Sequence, residues 1–554
     1  MKKSTSLLKV DQLCIPNPEQ PEKWLLDHIS FELQKGEILA LVGESGSGKS
    51  LIAKSIMGIL PKPLDIKKGR ILFNPQQDGT PDDLMDSEMV ANHRGKSIGM
   101  VFQEPMSALN PLMTCGKQVT EALQYHYNIP PKLAREKALS LFEKVALKDP
   151  KRSFEAYPHE LSGGQKQRVM IAAALINEPT FLIADEPTTA LDKQVQHGIL
   201  TLLKDLQKSL KITILLVSHD LGAVKSIADE VLVIYKGVIQ EKAPANDLPH
   251  RAQSAYTKGL WACKPVTNKR FKSLPGLKDF LENSPKAKAY EDGRLLWNEE
   301  EWQAKNEQIQ AQIPLLEIKD LYKSFPKKKN FWGKITQVSP IFEGLNLKLY
   351  PGECLGLTGT SGSGKSTLLR CINGLSEVQG GSITFEQKPI LQLGAKALRQ
   401  YRKKVQLVFQ NPYGALNPQQ KIGTILGEPL KAHTKLKDNS ITKKCLELLH
   451  EVDLPESFFD RYPHELSGGQ RQRINIARAL ILSPKIILFD ESVAALDVSV
   501  QSQILNLINQ LKEKFGFSAI FVSHDDAVIH FIADRKVHLS NGQLQEVTEA
   551  SPYP

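Results

Sequence analysis

The sequence predicts an α/β fold built twice along one chain, and three observations carry that prediction. A glycine-rich stretch, Gly43-Glu44-Ser45-Gly46-Ser47-Gly48-Lys49-Ser50, recurs as Gly359-Thr360-Ser361-Gly362-Ser363-Gly364-Lys365-Ser366. Each copy stands between an apolar run of strand length and a stretch that reads as the start of a helix. Further along, each half carries an unbroken apolar run closed by two acids, Phe181-Leu182-Ile183-Ala184-Asp185-Glu186 and Ile486-Ile487-Leu488-Phe489-Asp490-Glu491. Apolar runs without alternation read as strands covered on both faces, the environment of a parallel sheet.

The 554 residues suffice for at least two domains, each with its own core. The longest apolar run, Val169 to Ile176, has eight residues, against about 20 for a membrane span. The start, Met1-Lys2-Lys3, lacks a sustained apolar stretch, so no secretory signal is expected. Six cysteines, at 14, 115, 263, 354, 371 and 445, show no zinc-finger spacing. They read as reduced thiols of a cytosolic protein. The net charge of +10, from 71 Lys+Arg and 61 Asp+Glu, is spread thinly, so no nucleic-acid partner is expected. The sharpest basic run, Lys327-Lys328-Lys329, reads as a solvated loop.

In the first half, Ile38-Leu39-Ala40-Leu41-Val42 precedes the glycine loop and Leu51-Ile52-Ala53-Lys54-Ser55-Ile56-Met57 follows it. Strand, loop and helix in that order form the context of a phosphate-binding loop. The glycines let successive backbone N–H groups curl round an anion without Cβ clashes. The helix N-terminus adds partial positive charge at the same point. Lys49 and Lys365 would reach the β- and γ-phosphates, and the Ser50 and Ser366 hydroxyls would ligate Mg²⁺.

The later motifs repeat at a nearly fixed distance. Lys49 and Lys365 lie 316 residues apart, Gln103 and Gln410 307, and Ser162/Ser467, Asp185/Asp490 and His219/His524 each 305. The first half therefore carries 11 extra residues, mostly in the polar stretch 76–83, a surface-loop composition. Residues 1–245 form one module and 313–554 the other. Residues 246–312 between them are interrupted by Pro265, Pro275 and Pro285, then suggest a short helix around Trp297–Trp302. Residues 264–312 hold nine Lys+Arg and eight Asp+Glu and are nearly neutral.

Within each module, Phe102-Gln103-Glu104-Pro105 and Phe409-Gln410-Asn411-Pro412 end an apolar stretch with a glutamine that can contact Mg²⁺ or the attacking water. A surface glutamine is the ordinary reading of either alone. Leu161-Ser162-Gly163-Gly164-Gln165 and Leu466-Ser467-Gly468-Gly469-Gln470 each open a helix-like stretch. Such a start is a second anion-binding end, or else a simple N-cap. Asp185 and Asp490, at strand C-termini where parallel sheets hold ligands, would hold Mg²⁺. Glu186 and Glu491 would activate water as general bases. His219 and His524 end further apolar runs, and their fixed period favours a γ-phosphate contact.

These five motifs in this order resemble the nucleotide-binding domain of ATP-binding cassette proteins, over both modules. The resemblance implies P-loop NTPase domains with a mostly parallel core sheet, an antiparallel β part and a helical subdomain. It implies head-to-tail pairing of the modules, with ATP and Mg²⁺ between the glycine loop of one and the Leu-Ser-Gly-Gly-Gln of the other. Lys49 would then face Ser467, and Lys365 would face Ser162. Adenine would stack on Phe325 in the second module; the aligned residue in the first is Asn17, where Trp24 is a substitute. Thr367 would contact the α-phosphate, whereas Leu51 removes that donor from the first loop. Ser492 stands where the first module has Pro187.

Phe102 to Pro111, Phe409 to Pro418 and Arg461 to Gln470 are similar to the ATPase subunits of dipeptide, oligopeptide and nickel importers. Ala255 to Leu260, followed by Leu274-Pro275-Gly276, looks like that group's C-terminal extension. Fused tandem forms serve microcin C-type peptide uptake and glutathione import, and this chain is similar to the former in length and layout. The implied protein is a peripheral ATPase at the cytoplasmic face of the cell membrane. It would drive two transmembrane permease subunits and, through them, a substrate-binding protein, with segments 104–160 and 411–465 passing on the motion. Peptide or modified peptide is the expected cargo, with glutathione and nickel as alternatives. A ribosome-acting tandem ATPase would need a strongly basic helical linker. A DNA-repair ATPase would want zinc-finger insertions.

Overall fold

The computed structural model describes residues 6–76, 79–103, 108–189, 191, 193–329, 335–360, 362–494 and 496–547. The chain divides into two compact units, residues 1–261 and 262–554.

In the first unit the glycine loop is launched from the middle of a sheet. β3 (Ile38–Val42) is buried at every residue. It pairs in parallel with β8 (Thr213–Ser218) on one side and β9 (Glu230–Tyr235) on the other. β7 (Phe181–Asp185) and β6 (Ile98–Val101) extend the parallel part, and β10 (Val238–Pro244) closes it antiparallel, giving the order β10-β9-β3-β8-β7-β6. The apolar runs lack alternation because β3, β6, β7 and β8 are covered on both faces. A second, antiparallel sheet has the order β2-β1-β4-β5, from β1 (Leu8–Asn17), β2 (Gln20–Leu33), β4 (Lys68–Phe73) and β5 (Asp82–Asp83). Leu8, Ile29 and Phe73 of this sheet pack with Leu39, Leu41 and Phe181 of the first, and with Ile52 of the helix Lys49–Ile56, in one core. Burying these side chains contributes roughly 1.5–3 kcal/mol each.

A helical part follows β6: Cys115–Tyr127, Pro131–Lys144, Pro150–Glu155 and Gly163–Leu175. Proline opens two of these helices, where its missing N–H leaves no helical bond unmade. The helices pack closely because Gly116 has no side chain; a Cβ there would lie 2.3 Å from the Phe154 ring.

The second unit repeats the plan. Its sheets run β16-β17-β18-β13-β19-β20 and β12-β11-β14-β15. The central strand is β13 (Cys354–Gly359), flanked by β18 (Ser518–Val522) and β19 (Arg535–Ser540), with β17 (Ile486–Asp490), β16 (Val405–Val408) and β20 (Gln543–Glu546) outside. The antiparallel sheet comprises β11 (Leu316–Lys329), β12 (Ile335–Leu349), β14 (Gly380–Phe385) and β15 (Lys388–Pro389).

The proline-interrupted stretch between the modules forms further helices. The helix Ala255–Ala262 brings Tyr256 into the first unit, where its buried ring stacks on Tyr235. Residues beyond it pack in the second unit, whose core takes up Phe271 and Leu274. Arg270 donates to the carbonyls of His530 and Ala533, and its guanidinium lies over the Trp302 ring. The expected short helix extends from Glu299 to Gln310, and its Lys305 pairs with buried Asp534 at 2.8 Å.

Candidate functional site

The first site assembles where β3 and β7 end. Gly48, with φ +104°, hands the loop to the helix Lys49–Ile56 in a left-handed conformation open to glycine. At Gly43 the constraint is proximity: a Cβ would lie 2.1 Å from the Ile234 carbonyl oxygen. Lys49 is buried and folded into the loop, donating to Gly43 O at 2.9 Å, Glu44 O at 2.7 Å and Ser47 Oγ at 3.4 Å. The Ser50 hydroxyl donates to Asp185 Oδ1 at 2.9 Å, across 135 residues of sequence. Burial pushes the Asp185 carboxyl above the ordinary range, against the pull of the Ser50 hydroxyl, and the Glu186 charge adds to the rise.

Glu186 has φ +45°, an uncommon conformation for a side-chain-bearing residue, at the turn after β7. Strain of this kind concentrates at functional sites. Its carboxylate accepts from Gln103 Nε2 at 2.9 Å and from the Thr189 hydroxyl at 2.9 Å, and lies 3.3 Å from His219 Nδ1. Burial alone would raise its pKa, but His219, the Thr189 hydroxyl and the Lys49 charge together hold it down at about 2. It is ionised at neutral pH.

The second site has the same frame. Lys365 donates to Gly359 O at 2.8 Å and Thr360 O at 2.9 Å, and Ser366 to Asp490 Oδ1 at 2.9 Å. Gln410 Nε2 donates to Glu491 at 2.6 Å, and His524 Nε2 lies 2.5 Å from the same carboxylate. Glu491 repeats the left-handed φ, at +47°. Burial lifts Asp490 as it lifts Asp185, with the Ser366 hydroxyl opposing. Ser363 Oγ is buried in the loop without a hydrogen-bond partner among the described residues. Ser361 lies outside them.

The donors gathered at each site are oxygens: a serine hydroxyl, two carboxylates and a glutamine side chain. That set suits a hard divalent cation, which would relieve the buried aspartate. Ser50, Asp185 and Gln103 in one module and Ser366, Asp490 and Gln410 in the other could hold Mg²⁺.

The described side-chain hydrogen bonds of the Leu-Ser-Gly-Gly-Gln turns lie within the turns. Ser162 Oγ accepts from Gln165 N, and Gln165 Oε1 accepts from Ser162 N; Ser467 and Gln470 do the same. These are capping boxes for the helices Gly163–Leu175 and Gly468–Leu480. The second glycine of each has a packing reason: a Cβ on Gly164 would lie 2.6 Å from Val195, and one on Gly469 2.4 Å from Val500. Gly163 and Gly468 open the helices. Phe325 is half-exposed on β11, with the Lys323 ammonium 4.8 Å from its ring centre. Thr367 lies in the first turn of the helix Lys365–Ile372.

Two contributors were missed from the sequence. Thr189 sits three residues past Glu186, and a hydroxyl in an acid-ended turn was the available signal. Tyr256 accepts from the Glu44 backbone N–H of the glycine loop at 3.1 Å. Its buried ring gave no such hint, because the partners are 212 residues apart.

Two phosphate loops, each with a strand-end acid pair, a glutamine and a histidine around it, define a nucleoside triphosphatase with two sites of one design. A sequence model described as ABC transporter matches residues 26–189 and 342–494. The glutathione import ATP-binding protein GsiA of Pectobacterium atrosepticum is 38% identical over 525 residues, 94% of this chain and 82% of that one. GsiA of Escherichia coli K12 is 38% identical over 545 residues, 98% of this chain and 86% of that one. The chain belongs to the ABC transporter family and is an ATP-binding, ATP-hydrolysing member of it. Among solved structures it is similar to cbiO1 of Clostridium perfringens, part of the ABC transporter complex cbiONQ, at 30% identity and TM-score 0.38 over 44% of this chain and 90% of that one. The cassette MJ0796 bound to ADP and Pi matches at 28% identity and TM-score 0.37 over 42% of this chain and 98% of that one.

Proposed function

We propose that this chain powers an importer for a small peptide-like solute, with separate permease subunits forming the channel. The observation that carries the hydrolytic reading is the glutamate held in a left-handed turn by a glutamine and a histidine, identical in plan at both sites. The names of the relatives favour glutathione, itself a peptide, over microcin C-like compounds. Among the described residues no helix is long and apolar enough to cross a membrane, which accords with channel subunits on other chains.

In the proposed cycle ATP enters each loop and draws Lys49 and Lys365 away from the carbonyls they now satisfy. Ser50 and Asp185, and Ser366 and Asp490, would hold Mg²⁺, which when bound would neutralise phosphate charge. Glu186 and Glu491, ionised and aimed by their partners, take the proton from the attacking water. His219 and His524 contact the γ-phosphate side of the same water. Lys49 and Lys365 stabilise the charge that spreads over the transferred group.

The test is uptake of labelled glutathione and dipeptides in cells that lack the chain. Wild type restores uptake of one of these; the chain with Glu186→Gln and Glu491→Gln does not, yet still binds ATP and remains with the membrane fraction. Recovery of the chain with ribosomes, and uptake indifferent to its loss, overturns the reading.

A further inference from the structure

We propose that the first cassette carries a Zn²⁺ site formed by Cys14, Asp27 and His28, on the antiparallel sheet and apart from the hydrolytic residues. The Cys14 sulfur, an Asp27 carboxylate oxygen and a His28 ring nitrogen all lie within 4.8 Å of one another. Tetrahedral zinc with sulfur at about 2.3 Å and nitrogen at about 2.0 Å spaces its ligand atoms by roughly 3.3–3.7 Å, so small side-chain rotations close the set.

Adjacent strand residues normally point to opposite faces, so Asp27 and His28 should not share a ligand. A bulge brings them together. The pairing of β1 with β2 shifts between Leu13↔Ile29 and Ile15↔Leu26, which sets Asp27 and His28 against the single residue Cys14. His28 takes φ +50° to do so, and its backbone N–H donates to Cys14 Sγ at 3.3 Å. Its Nδ1 lies 2.6 Å from Asp27 Oδ1. Bulges commonly re-aim side chains in this way.

The second cassette supplies an internal control. Its sheet bulges at the same place, with β11 and β12 shifting between Leu321↔Leu345 and Tyr322↔Glu343 so that Gly344 is the extra residue. The counterparts of Cys14, Asp27 and His28 there are Tyr322, Glu343 and Gly344. Gly344 has φ +77° and open space around it, so the bulge itself is satisfied by glycine. The first cassette accepts a strained histidine at that place and sets a thiol opposite. One sulfur, one nitrogen and one oxygen suit a borderline ion such as Zn²⁺, with water completing four. On binding, the Cys14 thiol gives its proton to solvent.

The site reaches the nucleotide loop by two routes. Leu26 fills the space beside Gly48, where a Cβ would lie 2.4 Å from its Cδ2. Asp27 N donates to Gly237 O, and Gly237 N donates to Ser47 O.

The test uses the full-length chain with Co²⁺ as a spectroscopic probe and Zn²⁺ in competition with a chromogenic chelator. Wild type should bind one ion that shows a sulfur-to-cobalt charge-transfer band and is displaced by Zn²⁺. The oxygen-rich hydrolytic sites give no such band. His28→Gly installs the residue that the second cassette uses, so the fold is kept; affinity should fall on the order of tenfold or more, as removal of a ligand costs at least as much as removal of its supporting partner. Cys14→Ala should abolish the band. Absence of a sulfur band in wild type, or equal affinity of wild type and His28→Gly, overturns the proposal.

Discussion

The two cassettes agree where phosphate is handled and differ where the surroundings are. Ser50–Asp185 and Ser366–Asp490 are both 2.9 Å, and Glu186 and Glu491 take the same left-handed turn. Around this shared centre the supports diverge. Glu186 has the Thr189 hydroxyl, whereas the corresponding residue beside Glu491 is Ala494. The histidines present different nitrogens, Nδ1 of His219 and Nε2 of His524. The first loop leans on Tyr256. The second unit instead anchors the root of β13 through Asp534, which accepts from Cys354 N and pairs with Lys512 at 2.7 Å and Lys305 at 2.8 Å. Its first-unit counterpart, Asp229, accepts from Ile38 N, but Gln207 occupies the position of Lys512. Chemistry that must act on one substrate tolerates little change, while a support only has to hold its load.

The sharpest way to break this comparison is to disable one base at a time. If the centres are equivalent, Glu186→Gln and Glu491→Gln should each cut ATP turnover by about half and the double variant by roughly 100-fold or more, with ATP binding retained. Steady-state hydrolysis and equilibrium nucleotide binding check this; full activity in either variant would make that site non-hydrolytic.

Next in size is the anchor. Asp534→Asn leaves buried Lys512 without its counter-charge and should destabilise the second unit by about 3 kcal/mol, read from denaturant unfolding. Burial opposes ionisation of Asp534, but Lys512 and Lys305 outweigh it and hold the carboxyl below the ordinary range. A lowered folded pKa means stability that is present above the unfolded value of about 3.9 and is lost as pH falls through the folded one. The variant should therefore lose less on acidification than wild type does.

Phe325→Ala should weaken ATP binding at the second site on the order of tenfold, the value of one base–aromatic stack of about 1–3 kcal/mol, and leave the first site unchanged. Fluorescent nucleotide titration in each single-base variant separates the sites. The smallest effect belongs to Tyr256→Phe, which strips an acceptor from the Glu44 N–H at a cost of about 1 kcal/mol. It should raise KM for ATP at the first site alone, with kcat nearly unchanged.

Much of this was legible because the signals are local. Apolar runs such as Ile38–Val42 announce fully buried strands, and the glycine, lysine and serine of each loop are contiguous. The acid pairs follow directly on their strands. The remainder depends on chain reversals that local sequence does not encode. Nothing around Glu186 spells out its left-handed turn, since the conformation is imposed by the β7–β8 edge, where Glu186 N donates to Val217 O. The capping role of Ser162 was open beside anion binding, because the same hydroxyl suits both. Residues 264–312 offered little beyond three prolines and one short helix because two further helices, Leu277–Leu281 and Pro285–Glu291, are short and the apolar anchors, Phe271 and Leu274, are few.

Those two anchors fix where the polypeptide can be cut. Scission after Trp261 leaves each fragment in possession of the side chains that fill its interior. Scission after Gln312, at the start of the second homologous repeat, would carry Phe271, Leu274 and Lys305 away with the wrong half and leave behind an open cavity and an aspartate, Asp534, with one of its two lysine partners gone. Anyone seeking to express the halves as independent genes should follow the packing and not the repeat.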